Sequence, residues 1–211
     1  MEEALTVARE YNKKLPNDFR ISMLLAKTLL LTKHYKECSD LLAKINILPN
    51  EGATDGRRIY YEAWMMQAID QLKRGKYRDA SISIGKARLW PQQLGVGKPY
   101  DSDIDSRPDN YVEGLINEKS IGKASAEKNW KSVIAFDAGT GPHTLLTALA
   151  YKKLDRADEG LRILNEWIKK DPGNKLAVWC RNAFESNVVP IPSELLDNDS
   201  LRLVREIVSI P

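Results

Sequence analysis

The chain has very little of the side chains on which metal, redox and nucleophile chemistry depend. Its 211 residues include two cysteines and two histidines. No Ser-His-Asp set, HExxH motif or Cys/His cluster occurs, and the acidic residues are spread along predicted helices as solvated faces. We therefore expect a protein that is not an enzyme and holds no cofactor or metal. Cys38 and Cys180 are interpreted as small core residues rather than as a disulfide.

Excess charge and long apolar runs are also missing. The formal net charge is +3 at pH 7, which is too small to indicate nucleic acid or an anionic membrane as a partner. No apolar run approaches the roughly 20 residues of a membrane span, and no basic-then-apolar signal segment opens the chain. The compartment is left open by these features. With 43% hydrophobic and 29% charged residues, the composition is that of a globular chain.

Residues 60–91 predict the structural unit around which the chain is organised. Apolar residues recur at helical spacing on both sides of Gly75, a residue that tolerates the positive φ of a helix end. Small Ala80 and Ala87 would let the second helix approach the first. Pro91 ends the second helix, because proline lacks an N–H and clashes with the preceding turn. The segment therefore predicts a helical hairpin.

The same plan recurs along the chain, with extra length only between the units. We predict hairpins at 18–49, 60–91, 109–134 and 143–172, an orphan second helix at 3–15, and closing helices at 174–186 and 199–208. In the third hairpin one residue is missing after the turn relative to the others. The loops at 50–57 and 92–108 carry the excess length, which a helical array tolerates between repeats. The helix at 199–208 is interpreted as a cap over the open end of the array.

These units resemble the tetratricopeptide repeat, a helix–turn–helix of about 34 residues. Trp64, Ala80 and Pro91 stand at or next to its Trp, Ala and Pro places, whereas Gln67 and Gln71 replace its Leu and its first Tyr. The resemblance implies a single all-α domain over the whole chain. Its fold class would be a right-handed α-solenoid of tetratricopeptide-like helical hairpins.

Residues 88–172 resemble a narrower bacterial family. The run Trp90–Lys98, WPQQLGVGK, is similar to the YPENLGEGK loop of that family, and Tyr111 with Gly114 also fits. Its members are large, poorly characterised proteins, in which a β-rich domain with a suggested action on sugars precedes C-terminal tetratricopeptide repeats. Val96 departs from the acidic residue of the family loop. The resemblance implies a companion domain and a glycan context, not an activity of this segment.

Two loop motifs look like ligand sites but depart from the patterns that such sites need. A phosphate loop would need a preceding strand for Gly95–Lys98 and a Ser or Thr where Pro99 stands, so we expect a structural turn that packs two hairpins. The acidic triplet in Asp101–Asp105 has the opening spacing of a calcium loop. It lacks the Gly and Glu that such a loop needs at its sixth and twelfth positions. A solvated acidic loop is preferred there, with calcium binding as the alternative.

A groove is predicted on the concave side, where first helices carry residues offset from the packing stripe. Its three rows are Met23, Met65, Val112 and Leu145; Lys27, Ile69, Ile116 and Leu149; and Leu30, Leu72, Lys119 and Lys152. Mostly apolar rows rimmed by lysine indicate a covered surface. The cover would be the chain's own helices or long loop, or else an apolar peptide, a helix or a companion domain. The Lys/Asn clamp with which some repeats grip a C-terminal carboxylate is not matched.

Two functional hypotheses follow. The first is a non-catalytic protein–protein or domain–domain interaction scaffold, whose groove binds a protein, a peptide or a companion domain of the same longer chain. The second is the accessory repeat region of a larger carbohydrate-active bacterial enzyme whose catalytic domain is absent from this chain.

The predicted helix at 3–15 lacks a first helix, which suggests the C-terminal part of a longer protein. Its apolar residues Ala4, Leu5, Ala8 and Tyr11 are expected to lack part of their packing partner. Self-association through this N-terminal end, or fraying of residues 1–16, is the consequence.

Overall fold

The computed structural model describes residues 1–48, 54–136, 139–186, 189–196 and 198–211. These residues form eleven α-helices, three short 3-10 turns and no strand, so the prediction of an all-α chain is confirmed. The helices are α1 Glu2–Lys14, α2 Phe19–Leu31, α3 Tyr35–Leu42, α4 Asp55–Lys73, α5 Tyr77–Ala87, α6 Arg107–Ser120, α7 Lys123–Ala135, α8 Thr144–Lys153, α9 Ala157–Lys170, α10 Lys175–Glu185 and α11 Asp199–Val208. Within the described ranges, no helix is both long enough and apolar enough to cross a bilayer.

Helices α2 to α9 pair into four consecutive hairpins, and all four turns are closed by the same backbone hydrogen bond. In each turn, the residue before the second helix donates its N–H to the carbonyl oxygen five residues earlier. The pairs are His34 and Leu29 (2.8 Å), Lys76 and Gln71 (2.8 Å), Gly122 and Asn117 (3.0 Å), and Arg156 and Tyr151 (2.9 Å). This bond satisfies a carbonyl of the last helical turn. Each turn also contains a residue at positive φ: Lys33 at 64°, Gly75 at 72°, Gly122 at 133° and Asp155 at 61°.

Each hairpin carries one small buried residue on each helix, at a constant spacing. The pairs are Ala26 and Cys38, Ala68 and Ala80, Gly114 and Ala126, and Ala148 and Gly160. The members of each pair lie twelve positions apart. In the last pair, a Cβ added to Gly160 would lie 2.5 Å from the carbonyl oxygen of Ala148. The shared turn and the shared spacing make the chain an α-helical repeat arrangement.

Helix α4 is buried around most of its circumference. It contacts α2, α3, α5, α6 and α11, and its buried residues accordingly occur on several sides rather than on one stripe. Ile59 and Ala63 belong to the hydrophobic cluster of the N-terminal half, whereas Met65 and Ile69 belong to that of the C-terminal half. The two halves of the core therefore meet on this helix.

The second helix of the first hairpin is shorter than the apolar pattern predicted. Helix α3 ends at Leu42, although the hairpin was predicted to extend to residue 49. The backbone N–H of Ile47 donates to the carbonyl oxygen of Gln93 at 2.7 Å, so this stretch pairs with the long loop instead of continuing the helix. Residue 49, the predicted end of this hairpin, lies outside the described residues.

The start of the long loop is a structural turn, as predicted. Leu94 is buried in the N-terminal cluster, and Gly95 adopts a φ of 69°. A Cβ added to Gly56 would lie 2.9 Å from the carbonyl oxygen of Leu94, so the loop touches the backbone of α4. Lys98 is engaged by Asp101 at 2.7 Å. The loop thus fastens the first hairpin to the second.

Helix α1 packs against α2, and this packing corrects part of the expectation for the N-terminus. Leu5 and Ala8 are buried in the N-terminal cluster, so they do have a packing partner. Ala4 is exposed, and half of the Tyr11 side chain remains in solvent. Helix α2 covers one side of α1 only.

The two cysteines are free and buried, as the sequence predicted. Burial raises the pKa of each thiol to about 12. Neither sulfur is therefore a reactive thiolate near neutral pH.

Two glycine substitutions test the close packing of the hairpins. In Gly114→Ala, the new methyl group would lie 2.5 Å from the fully buried Trp130 ring, so we expect a loss of about 1–3 kcal/mol in unfolding free energy. In Gly85→Ala, the methyl group meets nothing within 4 Å on an exposed helical face, so we expect a gain of about 0.5–1 kcal/mol. Urea denaturation measures both. Equal effects of the two substitutions would contradict this packing.

Candidate functional site

Helix α11 lies on the predicted concave groove. Its main helix–helix contacts are with α4 and α6, and its N-terminus is capped by the side chain of Asn198, which accepts from the Leu201 N–H at 2.9 Å. Leu201, Leu203, Val204 and Ile207 are all buried. The interpretation of this helix as a cap over the end of the array is therefore wrong, because its partners are the first helices of the second and third hairpins.

Polar contacts fix α11 along the length of α4. Arg202 donates from Nε and Nη2 to the two carboxylate oxygens of Glu62, at 2.6 and 2.7 Å. Arg58 pairs with Asp199 at one end. At the other end Lys73 meets Glu206 at 3.2 Å. The contacts fall on one face of α4, so they set the position and the direction of α11.

The Glu62 carboxylate is the buried member of this network, with 5% of its side chain exposed. Burial raises the pKa of Glu62 above its ordinary value of 4.5, even though Arg202 acts in the opposite direction. A buried carboxylate is tolerated when a well-placed cation satisfies it. The bidentate geometry of Arg202 meets that need.

Most of the predicted groove residues are covered by the chain itself. Met65 and Ile69 follow Glu62 at steps of three and four residues on α4, so they lie on the face that α11 covers. The predicted groove residues that are buried are Leu30, Met65, Ile69, Leu72, Val112, Ile116, Leu145 and Leu149. Met23 is half-buried, and Lys27, Lys119 and Lys152 are exposed at the rim. The chain's own helices supply the cover.

The predicted rows are wrong by one residue in the third hairpin. The turn bond from Gly122 to Asn117 matches those of the other hairpins, and no residue is missing after this turn. Counted back from Asn117, the counterpart of Met65 is Tyr111, and that of Ile69 is Leu115. Both residues line a small cavity beside the end of α11. Val112, Ile116 and Lys119 therefore do not belong to the groove rows.

A separate polar cleft of about 690 Å³ opens between the long loop and helices α6 and α7. Its lining includes Arg57, Arg88, Trp90, Asp109, Glu113 and Asn129. These residues come from α4, the end of α5, the following loop, α6 and α7. We call it the polar cleft.

A continuous chain of hydrogen bonds runs along the polar cleft. Arg88 donates to Asp109 at 2.6 Å and to Glu113 at 2.8 Å. Asn129 donates to the same Glu113 carboxylate at 3.1 Å, and Asn117 donates to Asn129 at 3.0 Å. Arg88, Asp109 and Asn129 were not predicted as site residues, because no spacing motif joins them in the sequence.

Acidic side chains of the long loop are paired with basic side chains of the same chain. Asp105 accepts from Arg107 Nη2 at 2.6 Å and contacts His143 Nδ1 at 2.8 Å. Although burial opposes the effect, His143 and Arg107 hold the pKa of Asp105 well below its usual range. Asp101 is engaged by Lys98. No three His, Cys, Asp or Glu residues of the described part of the chain are grouped as a metal ion would need.

Comparison with protein-family models, with curated proteins and with solved structures finds no match to the chain. Function is therefore inferred from the chain's own geometry.

Removing Arg202, the cation that pairs with Glu62, tests whether α11 packs on α4 as described. In Arg202→Met the carboxylate stays buried without its partner, so we expect a loss of about 3 kcal/mol in unfolding free energy at neutral pH. Without Arg202, the pKa of folded Glu62 rises further above 4.5, so the folded state holds the proton more tightly. The loss should therefore grow as pH rises above 4.5 and shrink below it. Urea denaturation at several pH values measures the change.

The matched control is the double variant Glu62→Gln/Arg202→Met, which contains no buried carboxylate at this position. Its difference from the wild-type chain should depend much less on pH. A pH-independent loss in the single variant would contradict the burial of Glu62 under α11.

Proposed function

We propose that the chain is a non-catalytic interaction module whose concave groove binds an amphipathic helix. The single observation that carries the proposal is the seating of α11 on the groove. Its apolar stripe and three ion pairs fit the first helices of two neighbouring hairpins. In this mode of binding, a groove recognises a helix by apolar side chains that recur at helical spacing.

The repeat character supports the finer form of the proposal, in which tetratricopeptide-like hairpins wind into a right-handed solenoid. Four turns with the same closing bond and four small-residue pairs at one spacing are what such a unit needs. In this arrangement the first helices line the concave side, which is where α11 sits.

The chemistry of α11 indicates the kind of partner. A competing helix would carry apolar residues where α11 has Leu201, Val204 and Ile207, and a basic residue where it has Arg202. That basic residue would meet Glu62, and an acidic residue at its N-terminal end would meet Arg58. Such a helix belongs to a protein, a peptide or a companion domain of a longer chain. Neither nucleic acid nor a membrane is proposed as a partner.

The proposal is tested with a labelled peptide of residues 198–211. A tethered helix competes at an effective concentration of roughly millimolar, so the wild-type chain should bind the peptide weakly. In a chain carrying Arg202→Glu and Val204→Asp, the contact between α11 and the groove is weakened. This chain should therefore bind the peptide saturably. Fluorescence anisotropy measures the binding, and circular dichroism checks that the variant stays helical.

Two controls keep this test specific. Arg205→Glu repeats the Arg-to-Glu exchange on an exposed part of α11 and should leave peptide binding as weak as in the wild-type chain. Glu62→Arg in the weakened chain should abolish binding. If the weakened chain stays folded yet binds no more peptide than Arg205→Glu does, the groove is not a helix-binding surface.

An apolar stripe on α1 supports a second contact, with a companion domain or a second copy of the chain. Val7 and Tyr11 lie four residues apart on α1, Leu15 directly follows the end of this helix, and about half of each side chain is exposed. Residues at this spacing share a helix face. Burying such a stripe is favourable at about 25 cal/mol per Å² of apolar surface.

Self-association through α1 is tested by sedimentation velocity over a dilution series. We expect the wild-type chain to show reversible association. The variant Val7→Lys/Tyr11→Glu should be monomeric at an unchanged melting temperature, since neither residue is in the core. Association that persists in this variant would place the contact elsewhere.

A second candidate function is the accessory region of a larger carbohydrate-active enzyme. The polar cleft favours it, because the cleft combines an aromatic ring with carboxylate and amide side chains. Such groups hold a small ligand in a fixed orientation. This candidate and the helix-binding groove use different parts of the surface.

A further inference from the structure

We infer that the polar cleft binds a sugar acid, meaning a polyhydroxylated ligand that carries a carboxylate. The inference deepens the second candidate function by naming a ligand class. It does not depend on the helix-binding groove. Three features of the cleft carry it: a buried cation without an acidic partner, a row of planar polar side chains, and an indole ring in the wall.

The buried cation is Arg57. Arg57 is 7% exposed. Its Nη2 donates a hydrogen bond to the carbonyl oxygen of Ala87 at 2.8 Å, and its Nε has no hydrogen-bond partner. The guanidinium carbon lies 4.4 Å from the ring centre of Trp90 and 5.1 Å from that of Tyr61. No carboxylate among the described residues lies within ion-pair distance of it. An arginine remains charged even when burial opposes the charge.

Arg88 lies in the same cleft and, unlike Arg57, is paired with carboxylates. It pairs with Asp109 at 2.6 Å and with Glu113 at 2.8 Å. Burial opposes its charge, but Glu113 and Asp109 raise the pKa of Arg88, whereas burial lowers the pKa of Arg57. Asp109 and Glu113 are therefore already paired with Arg88, and Asp101 with Lys98. Lys128, also in the lining, is exposed to solvent, so Arg57 is the buried cation of the cleft that can pair with an anionic ligand. A ligand carboxylate would supply the missing partner.

The row of planar side chains fits hydroxyl groups. Asp109, Glu113, Asn129 and Asn117 are linked in a chain by bonds of 2.6 to 3.1 Å through Arg88. Each carboxylate or amide oxygen in this chain has acceptor capacity beyond the bond already made. A neighbouring pair of ligand hydroxyls can therefore donate to one side chain and accept from the next.

The indole ring of Trp90 supplies an apolar surface between these polar groups. It lies in the wall that the polar cleft shares with a smaller, apolar cleft of about 290 Å³, together with Ile104, Tyr61 and Arg57. The C–H face of a sugar ring is apolar, so it can pack on an aromatic side chain while its hydroxyls reach polar groups. A volume of about 690 Å³ admits one or two sugar rings.

The test compares three probes by isothermal titration calorimetry of the full chain. Glucuronate has both features of the proposed ligand, glucose lacks the carboxylate, and benzoate lacks the hydroxyls. We expect saturable binding of glucuronate, about tenfold or more tighter than that of glucose, since a hydrogen bond to a charged group has that effect. Benzoate should bind more weakly than glucuronate by a similar factor.

Substitutions locate the binding in the cleft. Arg57→Gln should remove the preference for glucuronate over glucose, and Arg78→Gln, an equal change of charge on an exposed position of α5, should preserve it. Asn129→Ala should weaken glucuronate and glucose to the same extent. It serves as the second test if Arg57→Gln does not fold, which a thermal melt would reveal.

Each contrary outcome overturns the inference. Equal binding of glucose and glucuronate would show that Arg57 does not recognise an anion, although the carbohydrate function would stand. Equal binding of benzoate would show that the hydroxyls are not recognised. If no probe binds to a folded chain, the sugar-acid site and the carbohydrate function fail together, whereas peptide binding by the groove is unaffected.

Discussion

The hairpins of this chain depend on the close approach of two helices at a pair of small residues. At Gly160 and at Gly114 the approach leaves no room even for a methyl group. The same spacing of small residues and the same turn bond recur in four hairpins, so each hairpin meets the constraint in the same way. Because neighbouring hairpins share their core, the first helices are left with an apolar face that water should not reach.

Helix α11 covers that face, and its own existence depends on the contact. A helix of ten residues is marginal in water, so burial of Leu201, Val204 and Ile207 provides much of its stability. The pair between Arg202 and Glu62 has a different role. Desolvation offsets much of the attraction between two buried charges, so the pair determines the position and direction of α11 more than it strengthens the contact. The proposed function rests on the same physics, because another helix of matching chemistry would compete for the groove.

Local patterns in the sequence predicted the helices and their turns well, because a stripe of apolar residues interrupted by Gly75 or by Asp155 is a short-range signal. The register of α6 was predicted wrongly, since Val112 was placed in the row of Met65, whose structural counterpart is Tyr111. The position of α11 could not be predicted from periodicity, because Glu62 and Arg202 lie 140 residues apart. The polar cleft was missed for the same reason: Arg57, Arg88 and Asn129 meet only after the second and third hairpins have packed together.

The docked position of α11 is the central claim, and hydrogen–deuterium exchange of residues 199–208 in the wild-type chain tests it most directly. An undocked helix of this length would exchange almost as fast as an unfolded peptide. A docked helix should show slow exchange, with protection comparable to that of the core helix α4. The account predicts strong protection at Leu203 through Ile207. Exchange at the rate of an unfolded peptide in this segment, while α4 remains protected, would contradict it.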